Sequence, residues 1–145
     1  MIDKEEIFPI GIGTWKIDYK NINNELTALM HSYAKGQNYL SLYMLYNDGK
    51  IVKSLKTYID KLDRNKLFIS VNLEPTIEEI KDIEKQLNEY LTILHLKYVD
   101  NLQLHTPKAT NLSLMATYKE MKRLVDAGKV RYLGISNCNL EQLEE

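Results

Sequence analysis

Two short stretches carry side chains able to do chemistry at the tips of buried strands. Tyr98-Val99-Asp100-Asn101-Leu102-Gln103-Leu104-His105-Thr106-Pro107 reads as a strand that delivers a histidine at its C-terminal end. An imidazole placed there can exchange a proton near neutral pH or serve as a fixed hydrogen-bonding group. Gly128-Lys129-Val130-Arg131-Tyr132-Leu133-Gly134-Ile135-Ser136-Asn137 reads as a second strand, with a Ser-Asn pair at its own end. That pair offers a hydroxyl and an amide to a ligand, or caps the helix that follows. Between them, residues 111–127 have helical spacing, with Leu114, Met115, Tyr118, Met121, Leu124 and Val125 on one face. Gly128 falls where a left-handed residue ends a helix. Strand, helix, strand over roughly forty residues is a βαβ unit with parallel strands. Polar groups at the C-terminal strand ends form the active face of such sheets, so His105, Ser136 and Asn137 are expected to share one space.

The rest of the chain repeats this unit. Ile7-Phe8-Pro9-Ile10-Gly11-Ile12-Gly13-Thr14-Trp15 reads as a strand ending at Thr14-Trp15, its glycines either bending an edge or letting backbone or ligand approach closely. Asn23 or Asn24 is a candidate cap for a helix to Lys35, ended by Gly36. Residues 38–43 form a second strand, Tyr46-Asn47-Asp48-Gly49 a turn, and Ile51, Val52, Leu55, Ile59 and Leu62 mark a second helix. Leu67 to Leu73 is a third strand closed by Pro75. Thr76-Ile77-Glu78-Glu79 has the form of a capping box before a helix whose periodic positions are Ile77, Ile80, Ile83 or Glu84, Leu87, Tyr90, Leu91 and Leu94. The Lys-Glu alternation on that helix reads as a solvated face. Asn139 is a candidate cap for residues 140–145. The fold class is α/β, a parallel βα repeat of roughly four and a half units.

Composition narrows the classes. The 145 residues are 44% hydrophobic and 27% charged, with 19 Lys plus Arg against 20 Asp plus Glu and a net charge of −1. Such a balance does not point to nucleic acid or an anionic membrane surface. No apolar run approaches the ~20 residues of a membrane helix. Cys138 is the one cysteine, which fits a reducing compartment. The charged stretch from Met1 to Glu6 is unlike a signal peptide, so the expected location is the cytoplasm. His31 and His95 have no partner at metal-ligand spacing, and Cys138 has no histidine at hand to make it a nucleophile.

With these elements laid out, the chain resembles the N-terminal part of an aldo-keto reductase. The resemblance rests on Gly11-Ile12-Gly13-Thr14-Trp15, Gly36 with Asn38, Tyr46, Leu67-Phe68-Ile69, Tyr98-Val99-Asp100 with Leu104-His105-Thr106-Pro107, and Gly128-Lys129-Val130-Arg131 with Gly134-Ile135-Ser136-Asn137. It implies a partial TIM (β/α)8 barrel, strands one to five, and hydride transfer between NADP and a small aldehyde or ketone. It makes Tyr46 the proton donor and His105 the group that orients the carbonyl. Thr14, Ser136 and Asn137 become cofactor contacts, and Trp15 lines the substrate mouth.

The family's tetrad also includes an aspartate and a lysine, and at their positions stand Ser41 and Asn72. Gly49 stands near the place of a glutamate usual after the tyrosine. An ordinary tyrosine has a pKa of about 10 and is a sluggish acid at neutral pH; a nearby lysine cation lowers it. Ser41 and Asn72 are neutral and supply no such field. Asp48 sits in the turn, and Lys66 lies at the wrong end of its strand. The expectation is therefore weak or absent catalysis. A complete barrel takes about 200–250 residues, so residues 1–145 read as a single incomplete domain lacking units six to eight. The alternative expectation is a non-catalytic scaffold or subunit. It would pair its open sheet edges with itself, as a homo-oligomer, or with a complementing second half.

Overall fold

A computed structural model describes residues 7–74, 77–107 and 112–144. Its elements run β1 (Ile12–Gly13), α1 (Ile22–Ala34), β2 (Tyr39–Tyr43), α2 (Lys50–Ile59), β3 (Phe68–Leu73), α3 (Ile80–Ile93), β4 (Val99–Leu104), α4 (Leu114–Asp126), β5 (Val130–Ile135) and α5 (Leu140–Glu144). The five strands are parallel and lie in the order β1-β2-β3-β4-β5. Doubly wound sheets reverse their strand order at a switch point; this one does not, which is the order of a barrel. The chain is thus α/β with a partial (β/α)8 architecture. Among the described residues no helix is long and apolar enough to cross a membrane.

Alternation along the strands separates two faces. Leu40, Leu42, Ile69, Val71, Leu73, Leu102 and Leu104 point to the helices and join Leu29, Ile51, Val52, Leu55, Ile83, Leu87 and Leu124 in one buried core. The other face carries Tyr39, Ser41 and Tyr43 of β2 in register with Phe68, Ser70 and Asn72 of β3. Phe68 stacks on Tyr39 at 4.9 Å and on Tyr132 of β5 at 6.0 Å, the latter across β4. Neighbouring strands lie ~4.8 Å apart, so rings two strands away meet readily only where this face is concave. Gly11 sits beneath the same layer. A Cβ there would lie 2.4 Å from a Tyr39 ring carbon, whereas one on Gly13 would meet nothing within 4 Å. Close approach, not bending alone, explains the first of these glycines.

Two buried polar groups tie the strands together. The fully buried Asp100 carboxylate of β4 accepts from the Ile69 amide at 2.8 Å and pairs with Arg64 at 2.6 Å and Arg131 at 3.1 Å. Both guanidinium groups also stack on the Tyr98 ring at 4.2 Å. At the opposite strand ends, the Tyr90 hydroxyl of α3 accepts from the Met44 amide at 2.7 Å and donates to the Asn72 carbonyl at 2.9 Å.

Element boundaries depart from the sequence reading in physical ways. β1 stops at Gly13, before Thr14 and Trp15. Asp18 caps a short 3-10 turn over Tyr19–Asn21, so α1 begins at Ile22 and neither Asn23 nor Asn24 is its cap. Thr76, the proposed cap of the third helix, and Pro75 lie outside the described residues, as do Asn111 and Met1 to Glu6. α3 begins at Ile80, where the Asp82 carboxylate accepts from the Glu79 amide at 2.9 Å. Ser113 caps α4, its Oγ accepting from the Ala116 amide at 3.2 Å. Met115 and Tyr118, read as inward, are 47% and 55% exposed, and Thr117 is buried in their stead. Glu84 is more than solvated surface, since it pairs with Lys129 at 2.6 Å and with Arg123 at 2.5 Å. Asn139 does cap α5, its Oδ1 accepting from the Gln142 amide at 3.0 Å while Gln142 returns the bond.

The Tyr90 bridge is testable by itself. Tyr90→Phe leaves a buried amide and a buried carbonyl without a partner, which costs about 1–3 kcal/mol. Urea unfolding should show a lower midpoint at unchanged slope. A midpoint equal to the parent's would show that the bridge holds nothing.

Candidate functional site at the strand ends

β2 delivers the first residues of the site. Tyr43 is its last residue, Met44 is pinned by Tyr90, and the chain then turns over Tyr46–Gly49. Asn47 (φ 51°), Asp48 (φ 53°) and Gly49 (φ 72°) are all left-handed, a run tolerable for Asn, Asp and Gly. This turn leaves Tyr46 half-buried beside Tyr43, edge to face, with ring centres 5.0 Å apart. On another contact the Tyr43 ring meets His105, from the end of β4, at 4.6 Å.

β5 completes the arrangement. The Ser136 hydroxyl donates to the His105 carbonyl at 2.9 Å and lies 3.3 Å from its Nδ1; the Asn137 amide donates to the same carbonyl at 2.7 Å. Ser136 has one proton to give. Donated to the nearer carbonyl, that proton leaves the Oγ lone pairs facing the ring. His105, Ser136 and Asn137 do share one space, as their positions at strand ends require.

The remaining candidates are held elsewhere. Thr14 is buried, and its hydroxyl donates to the Ser41 carbonyl at 2.8 Å. Asn72 is 6% exposed, and its amide donates to the Leu42 carbonyl at 3.0 Å. Ser41 lies in register with Ser70, whose hydroxyl accepts from Asn101 at 2.9 Å. Trp15 is 68% exposed, with the Lys16 ammonium 5.3 Å from its ring centre. Thr14, Ser136 and Asn137 all donate to backbone carbonyls of the chain itself.

Burial raises two groups beside the site. Tyr43 is pushed up to about 12, first by burial, then by the charges of Glu74 and Tyr46. Glu74, just past β3, is held above the ordinary carboxylate value by burial and then by Glu89. Tyr43, Glu74 and Tyr90 were not singled out from sequence. A signal for Tyr43 existed: it lies two residues after Ser41 on a strand, hence on the same face.

A parallel sheet in barrel order, with polar side chains gathered at its C-terminal strand ends, defines a protein of the (β/α)-barrel class. Within that class the chain belongs to the aldo/keto reductase family, whose sequence model matches residues 9–145. It is 30% identical over 152 residues to aldo-keto reductase family 4 member C11 of Arabidopsis thaliana, covering 94% of this chain and 47% of that protein. It is 27% identical over 158 residues to aldo-keto reductase family 1 member A1 of Mus musculus, covering 94% of this chain and 48% of that one. A thermostable aldo-keto reductase crystallised with the inhibitor epalrestat superposes with a TM-score of 0.83 at 27% identity, over 92% of this chain and 51% of its own. The aldo/keto reductase of Klebsiella pneumoniae in complex with NADP and acetate gives a TM-score of 0.85 at 24% identity, over 95% and 48%, a likeness of fold. The chain spans about half the length of the curated relatives it matches.

Glu74 yields a prediction with a definite sign. A carboxyl whose pKa is raised on folding binds its proton more tightly in the folded state, so its ionised form destabilises the fold above that raised value. The penalty disappears as pH falls through the folded pKa and below the ordinary value of 4.5. Glu74→Gln should therefore raise the urea midpoint at pH 7, with the gain vanishing below about pH 4.5. A gain that persists in acid would assign the effect to packing.

Proposed function

We propose that this chain forms the first half of an aldo-keto-reductase-type barrel whose carbonyl site is degenerate. The reaction the family carries is reduction of an aldehyde or ketone with NADP(H). In this chain Tyr46 stands as the proton donor and His105 as the group facing the carbonyl oxygen, with Trp15 at the mouth and Thr14, Ser136 and Asn137 on the cofactor side. Ser41 and Asn72 replace the two charged members. The observation that carries the reading is Asn72: neutral, almost wholly buried, and bonded through its amide to the Leu42 carbonyl. It offers no cation to stabilise a tyrosinate, and a lysine there would first have to break that bond. The unpaired Cys138 suits a reducing, cytoplasmic setting.

General acid assistance is typically worth ~10²–10⁴ in rate. Supplied in trans with the C-terminal half of a related reductase, the unmodified chain should oxidise NADPH with a simple aldehyde at least ~10²-fold more slowly than the complete related enzyme. A rate within about tenfold of it that collapses in Tyr46→Phe would refute the degenerate reading.

A second reading is favoured by the sheet itself, in which, among the described residues, β1 and β5 each pair with one strand. A non-catalytic subunit would use these edges to bind a second polypeptide or another copy. Sedimentation velocity at micromolar concentration should then show a dimer or larger species; a lone monomer would remove this reading.

A further inference from the structure

We propose that the Tyr43 side chain occupies the position a substrate carbonyl needs between Tyr46 and His105, and so decides whether this site admits small carbonyl compounds. The proposal deepens the reading above and rests on Tyr46 and His105 being the carbonyl-facing pair. Strand alternation sends Tyr39, Ser41 and Tyr43 to one face, and register places Tyr43 beside Asn72, itself beside Gln103. At the end of that row the Tyr43 ring is in contact with Tyr46 at 5.0 Å and with His105 at 4.6 Å. A carbonyl oxygen served by both a tyrosine hydroxyl and an imidazole must lie within about 3 Å of each. A ring packed against both groups fills that volume.

Three further observations bear on it. Tyr43 is only 4% exposed, so its ring is enclosed by its neighbours and does not lie over the surface. Its backbone is anchored, because the next residue, Met44, gives its amide to Tyr90. Tyr43 is also no replacement for Tyr46 as an acid, since burial and Glu74 push its hydroxyl up to about 12. The ring therefore acts as a plug and contributes no proton.

The test reads binding and needs neither cofactor nor turnover. The probes are acetone, a minimal ketone, and phenol, which matches the ring removed in Tyr43→Ala; apolar cavities of ring size take up such molecules. The readout is NMR of chain labelled in tyrosine and histidine side chains, with Tyr43→Val as a second variant that keeps a good strand former should alanine fail to fold. In the parent and in Tyr43→Phe, neither probe should give saturable shifts at Tyr46 and His105. In the opened variant both probes should shift both residues, with affinity at least ~10-fold above the parent's, which is about 1.4 kcal/mol. Acetone shifting both rings in the parent would overturn the proposal, as would a folded variant that binds neither probe. Phenol binding without acetone would overturn the reading of Tyr46 and His105 as the carbonyl pair, and the proposal with it. Restored turnover after Ser41→Asp with Asn72→Lys while Tyr43 is intact would overturn the plug and leave the family reading standing.

Discussion

One hydroxyl group holds the strand ends from which the site grows. Tyr90 reaches from α3 to the amide of Met44 and the carbonyl of Asn72, so a single side chain fixes the last residues of β2 and β3 relative to each other. Tyr43 precedes the pinned amide and the turn bearing Tyr46 follows it. The β3 end gains a second tie from the Asn72 amide to Leu42. At the other ends of the strands Asp100, between two arginines, does the equivalent work for β3, β4 and β5. Both are buried polar groups with their bonds satisfied, and such groups discriminate sharply between correct and slipped registers.

Polar side chains around the strand ends are tied to the chain's own backbone. Thr14, Asn72, Ser136 and Asn137 each donate to a backbone carbonyl of the chain. These bonds join neighbouring strand ends to one another. Hydroxyls and amides can serve as such ties or as ligand contacts, which is why their identity alone is ambiguous.

Much of the architecture was legible in the sequence. Glycines after α1 and α4, apolar runs of strand length and helical spacing between them fixed the order of elements, and His105, Ser136 and Asn137 were correctly placed together. Starts of elements were harder to read, because capping is decided by geometry: Asp18 outcompeted Asn23 and Asn24, and Asp82 reached back to Glu79. The inward face of α4 was misassigned at Met115 and Tyr118 because hydrophobicity gives a face only approximately when Thr117 can be buried as well. Tyr43 escaped notice for a different reason. Its significance lies in touching both nearby Tyr46 and His105, which is remote in sequence and is brought to it only by the packing of β2, β3 and β4.

The left-handed turn after Tyr46 is coupled to the tie that holds the strand ends. At position 49 a Cβ would stand 3.2 Å from the Met44 sulfur, on a backbone with φ of 72° that suits glycine and few other residues. A side chain at this position would strain the backbone and push on the methionine whose amide Tyr90 holds, so the corner that follows Tyr46 and the strand-end tie are mechanically one unit.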